Sequence, residues 1–198
     1  MDNPLRLAPA AQDLLFRQAR SVTEFTAEPV SDAQVAAIYE LVKHGPTSFN
    51  QQPLRMIMVR SREARQRLLP HLDERNRRRT EHAPLPIILA ADLHFHKKLP
   101  DLFPHGNAMC EALDAAPEKR AEDARYNALL QIGYLIVGVR AAGLAVCPMI
   151  GYDATGLDRE FFPDGRLRSL LVMNIGTGLP KRYDRLPRLP YEEVVTVL

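Results

Sequence analysis

The stretch from residue 118 to 142 constrains this fold more than any other. Ala121, Ala124, Ala128, Leu129, Ile132, Leu135, Ile136 and Val139 recur at helical spacing and make a wide apolar stripe. The middle, Ile132 to Val139, is apolar nearly all round. A helix without a wet face has to be covered on all sides, by a core or by an interface. Gly143 ends it.

The chain has 198 residues and a mass of 22.3 kDa, which points to one domain or at most two small ones, and a single domain over 1–198 is expected. A chain of this length buries roughly 70% of the surface its unfolded form exposes, so it builds a core without staples. Two cysteines exclude a disulfide scaffold. No apolar run approaches a membrane span, and MDNPLRLAPAAQDLLF lacks the apolar core of a secretory signal. The expected setting is the cytoplasm, with reduced thiols and no membrane partner.

Around the long helix the other elements fall into place. Residues 10–19 read as a short helix. Ser31 and Gln34 form a capping box for a helix reaching Lys43, with Val35, Ile38, Tyr39 and Val42 inward and Gly45-Pro46 as the stop. Arg55–Arg60 reads as a strand, and Ser61 caps an arginine-rich helix from Arg62 to about Arg75. Pro86–Ala91 and Leu170–Ile175 are further strands. His94–Asn107 reads as an irregular connection and Ala145–Gly151 as an extended, Pro-interrupted segment. Thr155 or Asp158 starts a short helix, and another closes the chain. Loose alternation of helices and strands implies α/β or α+β, with helices around one sheet.

Four constellations carry chemistry. Gly45-Pro46-Thr47-Ser48-Phe49-Asn50-Gln51-Gln52-Pro53 offers uncharged donors and acceptors suited to the edge of a planar polar ring, or to a plain solvated turn. Arg17, Arg20 and Ser21 near the start, with Arg185 and Arg188 near the end, suit a phosphate if the chain ends converge. In Pro148-Met149-Ile150-Gly151-Tyr152 a glycine lets backbone approach a flat ligand. Residues 55–79 hold nine of the 21 arginines, with Asn76 and Arg79 among the polar groups. No aromatic lies between Phe49 and Phe95, so that stretch reads as a solvated face rather than a nucleic-acid surface. His94 and His96 lack a Cys or acidic partner at a zinc spacing, and no metal is expected. The hydrolase elbow, Walker A and G-x-G-x-x-G signatures are absent.

The order of these segments is more specific than any one of them. Arg-Ser-x-x-x-Phe, then Gly-Pro-Thr-Ser-x-Asn-x-Gln-Pro before a strand, then Pro148-x-x-Gly151-Tyr152-Asp153 and a terminal Arg-Leu-Pro resemble the nitroreductase-like flavoproteins. The resemblance runs from about Arg17 to Arg188. Phe103-Pro104-His105-Gly106 and the ending Arg-Leu-Pro-Arg-Leu resemble the malonic semialdehyde reductase branch, which serves pyrimidine breakdown.

The resemblance implies a three-layer α+β fold with a central mixed sheet. The long helix would lie at a homodimer interface, and a C-terminal extension would reach the partner subunit. It implies FMN as cofactor, NADH or NADPH as electron donor, and malonic semialdehyde, reduced to 3-hydroxypropionate, as acceptor. By motif, Arg20, Ser21 and Arg185 or Arg188 would hold the FMN phosphate. Thr47, Ser48 and Asn50 would line the ring from the partner subunit. Asn76 and Arg79 would meet the pyrimidine edge, and Pro148, Ile150 and Gly151 would lie over the ring. The sequence departs from the family pattern at Ala19, Thr23 and Leu54, where many members have Arg, a basic residue and Trp. A broad nitroaromatic or quinone reductase is the alternative within the class. A flavin-storage or nucleic-acid-binding module is the alternative outside it.

Overall fold

The computed structural model describes residues 5–180 and 184–198, so the first four residues of the opening segment lie outside it. The chain starts with α1 (Pro9–Gln12), which runs into a π-type turn at Asp13–Arg17. There follow α2 (Asp32–Val42), β1 (Leu54–Met58), α3 (Arg62–Leu68), α4 (Glu74–Glu81) and β2 (Leu85–Asp92). The second half holds α5 (Leu99–Leu102), α6 (Gly106–Asp114), α7 (Pro117–Ala141) and β3 (Ala145–Met149). It closes with α8 (Ala154–Phe161), β4 (Leu167–Gly176) and α9 (Tyr191–Val194).

The sheet order is β1-β2-β4-β3, and every pairing among these strands is antiparallel. Among the described residues, parallel pairing enters only at the β3 edge, where Ser21 bridges Val146. Pro148 sits in that edge strand, where a missing N–H is tolerated. Strand β2 is buried along its whole length and feeds both faces. Ile87 and Leu89 pack with Ile38, Ile132, Leu135 and Val139 of α2 and α7. Ile88 and Ala90 pack with Leu68 and Leu157 of α3 and α8. The result is helices on both sides of one sheet, the α+β class expected from the sequence.

The Ser31–Gln34 capping box forms at the start of α2. Other local expectations are corrected. The arginine-rich helix is broken: a 3-10 turn at Leu69–His71, holding Pro70, ends α3, and Asp73 precedes a separate α4. A proline there cannot supply the N–H that a continuing helix needs. Asn76 and Arg79 therefore ride on their own short helix. The 94–107 connection is largely helical, with a 3-10 turn at Phe95–Lys98 and then α5. Buried Phe95 and Leu99 hold it. Tyr39 is exposed, not inward. The middle of α7, Ile132–Val139, is buried or half-buried except at Gly133, while Tyr126 and Leu130 ahead of it are 58% and 50% exposed. Asp153, earlier than expected, caps α8 by accepting from the Gly156 N–H.

Candidate active site

The exit of β3 and the start of α4 meet at Gly151. The Asn76 amide donates to the Gly151 carbonyl at 2.9 Å, and the Asp73 backbone N–H donates to the same carbonyl at 3.1 Å. Arg79 Nη1 donates to Asn76 Oδ1 at 3.4 Å, so Arg79, Asn76 and Gly151 form one chain of contacts. A Cβ on Gly151 would lie 2.4 Å from an Asp73 carboxylate oxygen and 2.8 Å from the Asn76 amide nitrogen. A side chain here would have to displace the Asp73 carboxylate and the Asn76 amide, so glycine suits the close approach. Next to it the Ile150 side chain is 81% exposed. Helix α4 is pinned from below: Asn174 of β4 donates to the Thr80 hydroxyl at 3.1 Å, with both residues fully buried. Asn174 Oδ1 has no hydrogen-bond partner among the described residues. The sequence reading missed this link, and its signal was a lone amide inside the apolar run Leu170–Ile175.

The chain ends do converge. The Arg185 guanidinium donates to the carbonyls of Arg17 and of Ala19, the latter at 3.0 Å. Val22 N–H donates to the Val146 carbonyl at 3.1 Å, which lays Arg20-Ser21 beside β3, two residues before Pro148. Arg20 and Arg140 line a cavity of about 530 Å³ together with Gly143, Thr177 and Gly178. Arg140 donates to the Leu15 carbonyl at 3.0 Å. Burial, and then the nearby Arg185 charge, hold its guanidinium below the ordinary value. Arg188 stays apart, donating to the carbonyls of its neighbours Leu186 and Pro187. Within one chain, Arg185 rather than Arg188 lies beside Arg20-Ser21.

Thr47, Ser48 and Asn50 lie elsewhere, against α7 and α5. The Ser48 N–H donates to Asn127 Oδ1 at 2.8 Å, Asn50 Nδ2 donates to the Leu102 carbonyl at 3.0 Å, and Tyr134 donates its hydroxyl to the Pro46 carbonyl at 2.9 Å. Asn127 in turn donates to buried Gln51 at 2.7 Å. Phe49, Asn50 and Gln52 all have positive φ, at 49°, 54° and 46°. Such backbone costs about 1–3 kcal/mol per residue and persists only where surrounding contacts over-determine it. Here the side chains of α7 do so. No described contact joins this loop to the Gly151 segment of the same chain.

Two charged networks sit outside these segments. Asp92, fully buried, accepts from Arg166 at 2.9 and 2.8 Å, from Arg55 at 2.7 Å and from the His94 N–H at 2.9 Å. Burial alone would raise its pKa. Arg166, the His94 N–H and Arg55 together hold it below the usual carboxylate value. His96, fully buried, meets Asp114 at 2.8 Å, and Lys97 meets the other Asp114 oxygen. The Lys97 and His96 bonds lower the Asp114 pKa to about 2. Cys110 completes a group of three ligand atoms lying within 4.8 Å of one another, but Lys97 and Arg120 surround the same carboxylate. The sequence spacing hid this partnership, because it spans 18 residues across α5 and α6.

The arginine-rich stretch is mostly committed internally. Arg55, Arg60, Arg67 and Arg78 pair with Asp92, Asp32, Glu160 and Glu74. Arg65 and Arg77 donate to backbone carbonyls.

The family model described as the nitroreductase family matches residues 16–177. The chain belongs to the nitroreductase family. A Streptomyces coelicolor protein named as a candidate NADH dehydrogenase/NAD(P)H nitroreductase is 54% identical over 195 residues, spanning 98% of this chain and 99% of its own. A Rhodopseudomonas palustris protein of the same name is 43% identical, over 94% of this chain and 95% of its own. Among solved structures, a candidate nitroreductase from Bacillus subtilis superposes with a TM-score of 0.82 at 20% identity, covering 96% of this chain and all of that one. A candidate family member from Exiguobacterium sibiricum, solved in complex with FMN, superposes at 0.81 with 19% identity, covering 96% of this chain and 98% of that one. These structural likenesses establish the fold. No helix among the described residues is long and apolar enough to cross a membrane.

Proposed function

We propose that this family member, one flavin-binding unit over 1–198, is an NAD(P)H-dependent FMN oxidoreductase that reduces a small aldehyde. The favoured acceptor is malonic semialdehyde, giving 3-hydroxypropionate. The observation that carries the flavin assignment is the contact chain Arg79–Asn76–Gly151 beside exposed Ile150. An amide and a guanidinium suit the alternating donors and acceptors of a pyrimidine edge. A glycine whose Cβ would press on the Asp73 and Asn76 side chains suits a segment lying against a flat ring. Arg20, Ser21 and Arg185, drawn together by the converging chain ends, suit the phosphate.

FMN, when bound, supplies the hydride chemistry; the protein binds, orients and tunes it. Asn76 is held at both ends, so its free valences point in a fixed direction. Arg79 places positive charge at the pyrimidine edge, where negative charge develops on reduction. Ile150 is exposed beside Gly151, so a ring held there would stay open to donor and acceptor in turn, and a positioned contact would replace a collision.

The Thr47–Gln52 loop packs on α5 and α7 of its own chain, and in this reading a second copy of the chain brings its loop to the Gly151 segment. Exposed Tyr126 and Leu130 on α7, with Leu186, Leu189 and Tyr191 in the tail, provide apolar surface for such a homodimer. Sedimentation should give a dimer in the presence of FMN. A stable, FMN-loaded monomer would contradict it. We place the protein in the cytoplasm, in keeping with two cysteines not joined in a disulfide. The internally paired arginines give no reason to add a nucleic-acid partner.

The acceptor is tested by comparing kcat/KM for malonic semialdehyde with that for a nitroaromatic and a quinone, NAD(P)H as donor. Preference for the aldehyde by tenfold or more is expected. The reverse order would favour the nitroaromatic or quinone reductase reading, which the relatives' names suggest.

A further inference from the structure

Beyond Arg79, helix α4 carries two more arginines on the same face. Arg75, Arg78 and Arg79 follow the i, i+3, i+4 spacing that brings side chains together on one side of a helix. They line a groove of about 510 Å³ with Thr23, Glu24 and Glu74. Arg79 connects this groove to Asn76 and Gly151. Of the charges in the groove, Arg78 and Glu74 pair with each other, with both side chains 76% exposed. An exposed pair of this kind is weak, so Arg78 can turn to a stronger anion. Arg75 is exposed and has no acidic partner among the described residues. Counting Glu24 against Arg75 and Arg79, the groove keeps net positive charge. Thr23 adds a hydroxyl donor on the opposite wall.

We propose that the Arg75–Arg78–Arg79 face is an oxyanion site that selects a charged reactant beside the flavin. This rests on the flavin assignment above and names the chemistry of what the site admits: a carboxylate or a phosphate monoester. Guanidinium groups recognise both with paired N–H bonds. Two sources present that chemistry to the ring, the carboxylate of a semialdehyde acceptor and the 2′-phosphate of NADPH. Arg79 serves the ring edge and the anion together, whereas Arg75 and Arg78 serve the anion alone.

The FMN-loaded protein is titrated calorimetrically with malonate, with 2′,5′-adenosine diphosphate and with 5′-AMP, as wild type and as Arg75→Gln, Arg78→Gln and Arg75→Lys. Wild type should bind one of the first two probes, and Arg75→Gln should weaken it about tenfold, a difference of about 1.4 kcal/mol. Arg75→Lys should restore part of the loss. In turnover, the kcat/KM ratio of malonic semialdehyde to propanal, or of NADPH to NADH, should fall by a similar factor. The ratio that moves identifies the source. If neither probe's affinity depends on these arginines, or if Arg75→Gln shifts only the flavin potential, the proposal is overturned. If no aldehyde is reduced by wild type, the acceptor reading fails while the titrations still judge the site. Arg75 is exposed, and thermal unfolding of each variant separates an effect on binding from one on folding.

Discussion

Gly151→Ala should weaken FMN binding by about ten- to a hundredfold, a cost of roughly 1.4–2.8 kcal/mol. The methyl group would arrive 2.8 Å from the Asn76 amide nitrogen and 2.4 Å from an Asp73 oxygen. Asp73 is exposed and can swing away. Asn76 is nearly buried and cannot move without giving up its bond to the Gly151 carbonyl. The Arg79 contact runs through Asn76, so both groups at the pyrimidine edge shift together. The site should suffer far more than the fold, because Gly151 lies beyond the end of β3. Fluorescence titration of the apoprotein with FMN measures the affinity, and thermal unfolding the control. An affinity equal to wild type would remove Gly151 and Asn76 from the ring site.

Arg166→Leu should destabilise the protein by about 2 kcal/mol, the scale of losing charge-assisted hydrogen bonds to a buried carboxylate that keeps its Arg55 partner. It takes away two of the four hydrogen bonds to a carboxylate with no exposure of its own. For a domain of this size that corresponds to roughly 4–8 °C in Tm. The sign of the pH dependence follows from the lowered Asp92 pKa. The folded state binds the proton less readily than the unfolded one. Stability from this group is therefore fully present above the unfolded carboxylate value and is lost as pH falls through the lower folded value. Calorimetric scans between neutral and acid pH should show the variant losing less additional stability than wild type as pH drops. Parallel curves would contradict the assignment of that slope to Asp92.

How much was legible beforehand depended on whether the signal was local. The capping box at Ser31 and Gln34, the long helix and the strand Pro86–Ala91 could be read from spacing, because a few adjacent residues determine them. The arginine run continues across the break between α3 and α4, and only Pro70 within it marks where the helix stops. The helical content of 94–107 was hidden for another reason. Pro100, Pro104 and Gly106 look like breakers, yet Phe95 and Leu99 bury themselves in a third core cluster with Ala124 and Ala128 of α7. Tertiary burial overrode local preference there.

In the site, residue types were legible and mutual positions were not. The convergence of Arg185 on Ala19 spans 166 residues and has no sequence trace. The Asn174–Thr80 support spans 94 residues and surfaces only as an odd polar residue in a strand. The loop at Thr47–Asn50 showed the expected polar groups, but much of that polarity is used to hold its own left-handed backbone.

The most direct test of the flavin assignment is an absorption spectrum of the purified protein with added FMN, followed anaerobically as NADH or NADPH is introduced. The expected result is a protein-bound flavin spectrum whose visible bands bleach on addition of the donor and return on addition of malonic semialdehyde. A protein that leaves FMN free in solution, or binds it without bleaching, would contradict the oxidoreductase assignment.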